Sequence, residues 1–496
     1  MKRNFLIAYG LVFILSLVPA PRGWGSEEWT EWPEELTETE SLQLNAAPID
    51  NSNEWLVASK VVVSDSQKQQ TTDEDVSWYR ISGHARTRYE SRQNYDFIYD
   101  RPSIDGMADN DDNFLLTRFR LSVDIEPNPY LSGRVTFQDS REFGSDVINH
   151  DALDRSGTDI FENKADLHEA YLKLRLGESP WAIQAGRMQL NYGDQRLIGG
   201  FNWGNTARNF DAAKILDQEG DFSLDLVAAN VVVVDSNAWD NSNDDDDFLF
   251  AYATMRNKPQ GTQDFYLLYR DNDDLNREIY TLGTRIDGAC GDLDWNFEGA
   301  WQWGSSTDTV APTAGSGEIL DHKAWAASAE IGYTQSNLAC APRLAVGYSY
   351  ASGDDDPNDN ENNTFDNLYP TNHLYYGYMD FFSWRNVHNP NLKLHWKASD
   401  KLTFKTHWHM FWLDEPQNDA WHNAGGGVVR NAAGNDASSF VGHELDIVAS
   451  YACSDKLNME LGYGHFFAED YVRDTSPNGR EADDADFVYL MTTLTF

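Results

Sequence analysis

Apolar and polar residues alternate from Trp78 to the end of the chain, in segments of about ten residues. Such alternation places successive side chains on opposite faces of a β-strand. A tilted strand of about ten residues is also long enough to cross a bilayer. We therefore predict about eighteen membrane-crossing strands. The predicted strands are 79–91, 113–125, 130–140, 167–176, 181–192, 208–217, 222–234, 247–256, 263–271, 278–288, 293–304, 322–334, 342–352, 385–398, 401–413, 440–453, 456–467 and 485–496.

The links between these segments alternate short and long, as in Gly177–Pro180 and Ser454–Asp455 against the polar stretches between them. An even number of strands returns both chain ends to one side of a membrane, with short periplasmic turns and long external loops. The fold class predicted is therefore all-β: a transmembrane antiparallel up-and-down β-barrel with long acidic external loops. The long loops are expected at about 92–112, 141–166, 193–207, 235–246, 305–321, 353–384, 414–439 and 468–484.

The charge of the chain is strongly negative, with 80 Asp and Glu against 38 Lys and Arg and a formal net charge of -42. Acidity of this degree would indicate disorder if aromatic residues were scarce. They make up 13% of the chain, with 17 Trp and 23 Tyr, which is typical of a barrel with aromatic girdles. Nucleic acid is excluded as a partner by the charge.

The N-terminal sequence indicates export. Lys2 and Arg3 precede the apolar run Phe5–Val18, a pattern typical of a secretory signal peptide. We predict a signal peptide at 1–25, a flexible acidic periplasmic lead-in at 26–77 and a barrel at 78–496. The predicted location is the outer membrane of a Gram-negative-type bacterium. The final strand ends in Phe496 and resembles the insertion signal of outer-membrane proteins.

Enzyme, cofactor and metal sites are not predicted. No nucleophile motif, phosphate loop or zinc-protease motif appears. His407 and His409 are expected to face inward beside His395 of the preceding strand, but Lys393 and Lys405 would crowd a cation there. The cysteines lack metal-site spacing and are read as structural, and whether Cys290 and Cys340 pair is left open. The three cysteines are Cys290, Cys340 and Cys453.

Along the predicted strands, basic residues occupy the positions that alternate with the apolar ones. If the apolar side chains face lipid, the basic ones on the alternate positions, which we call inward parity, are expected to face the lumen. A positive constriction selects anions by attraction and by forked hydrogen bonds to carboxylates. The alternative is a set of lumen salt bridges that fill a narrow barrel. Arg120 and Arg134 are expected to face each other across a hairpin, and a β-bulge at Gly186 is expected to turn Arg187 into the lumen. The predicted pore residues are Arg86, Arg88, Arg118, Arg120, Arg134, Lys173, Arg175, Arg187, Arg285 and Lys405.

Several motifs resemble the alginate export porin family. They are Ala170-Tyr171-Leu172, Ala185-Gly186-Arg187-Met188-Gln189-Leu190, Tyr192-Gly193-Asp194, Arg208-Asn209-Phe210-Asp211 and Gly442-His443-Glu444-Leu445-Asp446. The resemblance implies an eighteen-stranded outer-membrane barrel whose arginine-rich lumen passes a polyuronate. The family's usual Gly-Arg-Gln reads Gly186-Arg187-Met188 here, with Gln189 one place later.

The function predicted from these features is a passive outer-membrane channel with a basic lumen for an anionic polysaccharide or oligosaccharide, such as an alginate-like polyuronate. The expected partners are that polymer or another organic anion, and outer-membrane lipid; periplasmic export or uptake partners are not identified. The alternatives are a nonspecific diffusion porin and a structural or adhesive barrel with a plugged lumen. An outer-membrane lipase is the enzyme alternative, without a nameable triad.

Overall fold

The computed structural model describes residues 78–97, 111–145, 160–217, 220–258, 261–273, 275–307, 319–432, 436–477 and 481–496. The predicted signal peptide (1–25) and lead-in (26–77) lie outside these ranges. Within them, no helix is both long and apolar enough to span a membrane.

Eighteen strands form one closed antiparallel barrel, which confirms the predicted fold class. The barrel closes because β1 pairs with both β2 and β21: Arg86 lies opposite Arg118 on one side and Thr493 on the other. The barrel strands are β1 (Tyr79–Gln93), β2 (Asp112–Asn128), β3 (Leu131–Phe143), β4 (Asn163–Arg175), β5 (Trp181–Met188), β6 (Phe210–Asp217), β7 (Phe222–Val233), β8 (Asn241–Lys258), β9 (Gly261–Asn272), β10 (Arg277–Cys290), β11 (Leu293–Thr307), β12 (Ile319–Thr334), β13 (Arg343–Ala351), β15 (Val387–Lys397), β16 (Leu402–Trp412), β19 (Phe440–Ser454), β20 (Leu457–Ala468) and β21 (Ala485–Thr495). The loops carry the short strands β14 (Glu361–Asn362), β17 (Trp421–His422) and β18 (Val428–Arg430) and the helix α1 (Asp470–Asp474).

The two faces of each strand differ as the alternation predicts. On β12 the outward Trp325 is 51% exposed, whereas the inward Ala324 and Ala326 are buried. The exposed apolar side chains form what we call the wall face, which suits contact with lipid. Aromatic rings stack along it, as between Tyr280 and Trp303 with ring planes 11° apart.

Two long loops fold into the barrel instead of lying in solvent outside it. We call residues 189–209 inner loop A and residues 352–386 inner loop B. They join at a parallel bridge between Ile198 and Tyr369, and the Gly199 amide donates to the Tyr369 carbonyl at 2.8 Å. Trp203, Phe365 and Trp384 are buried in a hydrophobic core that the loops share with the inward wall residues. The prediction that 193–207 and 353–384 are external loops is therefore wrong in this respect.

Two local predictions about register are also wrong. Arg120 lies opposite Gln138, and Arg134 opposite Asp124, because β2 continues to Asn128 and shifts register near the turn. Like charges are thereby kept apart across the ladder.

No register shift occurs at Gly186, which pairs in sequence with Tyr171 on β4 and Ala212 on β6. Regular alternation therefore leaves Arg187 on the wall-face parity of Trp181, and the predicted β-bulge is absent from this described segment. Gly186 serves a different purpose. Its φ is +127°, and a Cβ there would lie 2.1 Å from the Ala170 carbonyl oxygen, so only glycine allows this approach of the strands.

One end of the barrel, which we call the short-turn rim, carries the brief links between strands, and the opposite end is the long-loop rim. The first residue of β1 and the last of β21 both lie at the short-turn rim. Cys290, Cys340 and Cys453 are free thiols at the same rim, within or beside turns. The pairing left open between Cys290 and Cys340 is not made.

Candidate functional site: the barrel lumen

Four inward arginines on the neighbouring strands β1 and β2 form what we call the arginine cluster: Arg86, Arg88, Arg118 and Arg120. The antiparallel register places Arg86 directly opposite Arg118, and Arg120 opposite His84. All four side chains are buried. The parity prediction therefore gives the right neighbours, and the two strands concentrate positive charge halfway along the wall.

Backbone carbonyl groups of inner loop A accept hydrogen bonds from the cluster. Arg86 donates to the carbonyl oxygens of Asn202 at 2.9 Å and of Trp203 and Gly204 at 3.2 Å each. Arg118 donates from one nitrogen to Asn202 and Gly204, both at 3.0 Å. These acceptors are uncharged, so the loop satisfies donors without neutralising their charge.

The cluster holds more positive than negative charge. Within the described part of the chain, Arg88 is the one member with a carboxylate at ion-pair distance, Glu90 at 2.6 Å. Nε of Arg86 and Nη2 of Arg120 are buried and lack hydrogen-bond partners among the described residues. Buried charge without a counter-charge is costly, so the cluster favours any anion that reaches it.

An aromatic sandwich covers the cluster on the lumen side. The Arg88 guanidinium lies 3.8 Å from the centre of the Trp203 ring, a cation–π contact. The other face of Trp203 stacks on His373 of inner loop B, with centroids 3.9 Å apart and ring planes 10° apart. His373 lies 3.1 Å from the Asp380 carboxylate. Both inner loops are thus packed over the arginines.

Carboxylates of β19, which lies three strands from β1 around the barrel, hold inner loop B. The Met379 amide donates to Glu444 Oε1 at 2.9 Å and the Tyr378 amide to Asp446 Oδ2 at 3.4 Å. Both carboxylates are buried. Arginines therefore bind loop carbonyls on one wall, and acids bind loop amides on another, as the polarity of a peptide backbone requires.

Asp366 anchors inner loop B to β9 and β10. Its carboxylate lies 2.8 Å from Arg277 and 3.6 Å from Arg270, and it accepts the Leu368 amide at 2.8 Å. Burial opposes ionisation, but Arg277, Arg270 and Arg385 outweigh it and hold the pKa of Asp366 well below its usual range. The anchor is therefore charged at neutral pH.

Arg285, another predicted pore residue, is neutralised. It contacts Asp194 of inner loop A and lies 3.0 Å from Asp264 and 3.3 Å from Asp287. Carboxylates on three sides make it a structural cation that ties the loop to the wall. For this residue the salt-bridge alternative describes the structure better than an open anion site.

The remaining predicted pore residues lie nearer the short-turn rim or outside the lumen. Arg134 is paired with two carboxylates, at 2.7 Å from Asp124 and 3.8 Å from Glu169. Inward parity is kept by Lys173, Arg175 and Lys405, of which Arg175 is exposed at the end of β4.

The prediction that Arg187 is a pore residue is corrected by the structure. Arg187 pairs with Asp211 at 2.8 Å and donates to the Asp240 carbonyl at 3.1 Å. It does not join the arginine cluster.

Sequence reasoning missed the loop residues that complete the site, above all Asn202, Trp203 and His373. One signal was available: residues 365–384 contain a density of aromatic side chains that is unusual for a solvated loop. Their burial explains that composition.

A closed eighteen-stranded barrel with an apolar wall face and a polar, charged interior defines an outer-membrane channel protein. The family model for alginate export matches residues 77–485, and the chain belongs to this family. No curated protein matches the chain significantly.

Solved barrels of Pseudomonas aeruginosa have a similar fold. OccK9 (OpdG) is 13% identical, with 84% of this chain and 98% of that chain covered and a TM-score of 0.55. OccK2 (OpdF) in complex with glucuronate is 13% identical, with the same coverage and a TM-score of 0.52. OpdK with vanillate is 13% identical, again with 84% and 98% covered and a TM-score of 0.51. At this identity the likeness concerns the fold.

Proposed function

We propose that the protein is a passive outer-membrane channel for an anionic polysaccharide or oligosaccharide, with the arginine cluster as its anion-selective element. The observation that carries the proposal is the mismatch of charge in the cluster. Arg86, Arg118 and Arg120 are buried against neutral acceptors, and among the described residues none of the three has a carboxylate at ion-pair distance. Guanidinium groups in this condition bind carboxylates strongly.

A uronate polymer carries one carboxylate per sugar, so it could satisfy neighbouring arginines in turn. Membership of the alginate export family supports an anionic sugar as the substrate class. The glucuronate in the OccK2 structure is consistent with a barrel of this fold holding a single uronate.

Passage along the lumen requires the inner loops to move, because inner loop A occupies the acceptor side of the cluster. The loop carbonyls of Asn202, Trp203 and Gly204 lie where the oxygens of a passing carboxylate would bind. An arriving anion therefore competes with the loop for the same donors. The competition favours the anion, since a charged acceptor forms the stronger hydrogen bond.

Planar-bilayer recording tests the selectivity. The wild-type channel should prefer anions, and Arg86→Ala together with Arg118→Ala should move its reversal potential in a salt gradient toward that of a nonselective pore. Arg473→Ala is the matched control, since Arg473 is half exposed on α1 outside the lumen. A cation-selective wild type, or a double variant with unchanged reversal potential, would contradict the proposal.

A second candidate is a channel for small organic anions, favoured by the buried core that the inner loops form inside the lumen. Liposome swelling separates the candidates. Entry of a uronate monomer without an alginate oligomer supports the small-anion channel, and entry of both supports the polysaccharide channel. Equal entry of neutral oligosaccharides of the same size would indicate a nonspecific porin, and no swelling with any solute would indicate a plugged barrel.

A further inference from the structure

The wall face carries a depression where the neighbouring strands β11 and β12 place small residues side by side. Gly299 of β11 pairs with Ala327 of β12, and Phe297 pairs with Ala329 in the next outward row. These three residues, Gly299, Ala327 and Ala329, lie at outward-facing positions. Because their side chains are a hydrogen atom or a methyl group, they form the base of the depression, which we call its floor.

Large aromatic residues surround this floor on several sides. Trp301 and Trp325 pair with each other in the row nearer the long-loop rim, and Phe297 lies in the row nearer the short-turn rim. On β13, Tyr350 pairs with Ala327 and Tyr348 with Ala329. Their rings stand above the floor, so the wall contains a cavity lined mainly by apolar atoms. We call it the wall notch.

Polar groups close the notch at its long-loop end. Tyr348 Oη lies 2.6 Å from His388 Nδ1, and His388 Nε2 lies 3.0 Å from Asp414 Oδ1. Tyr350 donates to the other oxygen of the same carboxylate at 2.9 Å. Burial opposes the charge of Asp414, but the hydrogen bonds from His388, Gly353 and Tyr350 outweigh it and lower its pKa.

The position of this polar group along the barrel is informative. Tyr350 is the penultimate residue of β13 and His388 the second of β15, so both lie near the long-loop rim, where a membrane meets water on the external side. Tyrosine and histidine suit this boundary because each has an apolar body and a polar tip. The notch is therefore amphipathic along the membrane normal: apolar in the membrane and polar at its external edge.

We propose that the wall notch binds one acyl chain of lipid A from the outer leaflet. His388 holds the Tyr348 hydroxyl in place, and Tyr348 Oη accepts a hydrogen bond from an amide or hydroxyl group where that chain joins its headgroup. The occupant must come from the bilayer, because the notch opens on the lipid-facing side. The outer leaflet is favoured over the inner because the polar end lies at the long-loop rim. The small floor admits a methylene chain between the rings of Trp325 and Phe297, which a flat wall would not hold.

Native mass spectrometry of the full-length protein tests this site. The folded barrel is incubated with lipid A or, in a separate arm, with phosphatidylethanolamine, and the lipid retained after detergent exchange is counted. Ala327→Trp should fill the notch and reduce retained lipid A by one molecule per barrel. Tyr348→Phe keeps the notch but loses the contact with His388, and should retain lipid A more weakly than the wild type.

Matched controls occupy a separate part of the wall face, on β19 and β20. Ala449 pairs with Phe404 and Leu461 at outward parity, and Tyr463 donates to Asp486 at 2.6 Å much as Tyr348 contacts His388. Ala449→Trp and Tyr463→Phe should retain lipid A as the wild type does.

The folded state of each variant is checked by its heat-dependent mobility on a detergent gel. Equal loss in the notch and control variants, no difference between Ala327→Trp and the wild type, or a notch-dependent preference for phosphatidylethanolamine would each overturn the assignment. None of these outcomes depends on ion selectivity, so the site stands or falls separately from the proposed channel function.

Discussion

Removal of the Asp366 charge should release inner loop B from the barrel wall. Asp366→Asn is nearly isosteric, and its side-chain oxygen can still accept the Leu368 amide, which is 2.8 Å away in the native chain. What disappears is the negative charge beside Arg277 at 2.8 Å and Arg270 at 3.6 Å. Arg270 keeps Asp246 at 2.7 Å, so Arg277 bears most of the loss.

The size of the effect follows from burial. Loss of one partner of a buried ion pair costs about 3–5 kcal/mol, because the other charge stays buried without compensation. At about 1.4 kcal/mol per factor of ten, the population with inner loop B detached should rise by roughly two to four orders of magnitude. The pKa of Asp366 is depressed, so this stabilisation is fully present above the unfolded-state value of about 3.9 and is lost as pH falls below it toward the native value.

Hydrogen exchange of the 364–371 segment measures that population. The Asp366→Asn variant should exchange much faster there at pH 7, while the barrel strands remain protected. Asp356→Asn is the matched control, since Asp356 is exposed in the same loop and contacts only its local turn. Exchange in Asp366→Asn as slow as in the wild type would refute the view that this ion cluster anchors the loop.

Two further predictions concern Asp240, which directly precedes β8, and Gly186 of β5. Burial and the nearby Asp166 raise the pKa of Asp240 to about 7, so protonation of Asp240 stabilises the native loop. The Asp240 amide should therefore be better protected from hydrogen exchange at pH 5 than at pH 8, after correction for intrinsic rates. Equal protection at the two pH values would contradict this prediction. Gly186→Ala should destabilise the barrel by more than about 2 kcal/mol, because the added methyl group meets Ala170 and the φ is positive. Gly177→Ala, where φ is +63° and no atom of the described residues lies close to the added methyl group, should cost about 1 kcal/mol. Similar melting temperatures for the two variants would show that the contact between residue 186 and Ala170 relaxes.

The barrel was predictable because each strand must satisfy lipid on one face and the lumen on the other, which imprints period two on the sequence. The ends of the strands were harder to predict. β8 is predicted at 247–256 but runs from Asn241 to Lys258, because the polar residues that precede its apolar run also pair with β7 and β9. The parity of Arg86, Arg88, Arg118 and Arg120 followed from the same rule.

The inner loops were not predictable from periodicity. Ile198 and Tyr369 meet across a long stretch of chain, and neither loop has a repeating pattern that would indicate a partner. The prediction that Arg187 faces the lumen was wrong for a related reason. The parity argument assumed that an arginine must avoid the wall face, whereas Asp211 on the adjacent strand and the Asp240 carbonyl solvate it there.

The three free cysteines allow the orientation of the barrel in the membrane to be measured by thiol labelling. Cys290, Cys340 and Cys453 all lie at the short-turn rim, which is the periplasmic side of an outer-membrane barrel. A maleimide too large for the lumen should leave intact cells unlabelled and react once the outer membrane is permeabilised. Labelling of intact cells at these thiols would mean that the barrel is inserted the other way up.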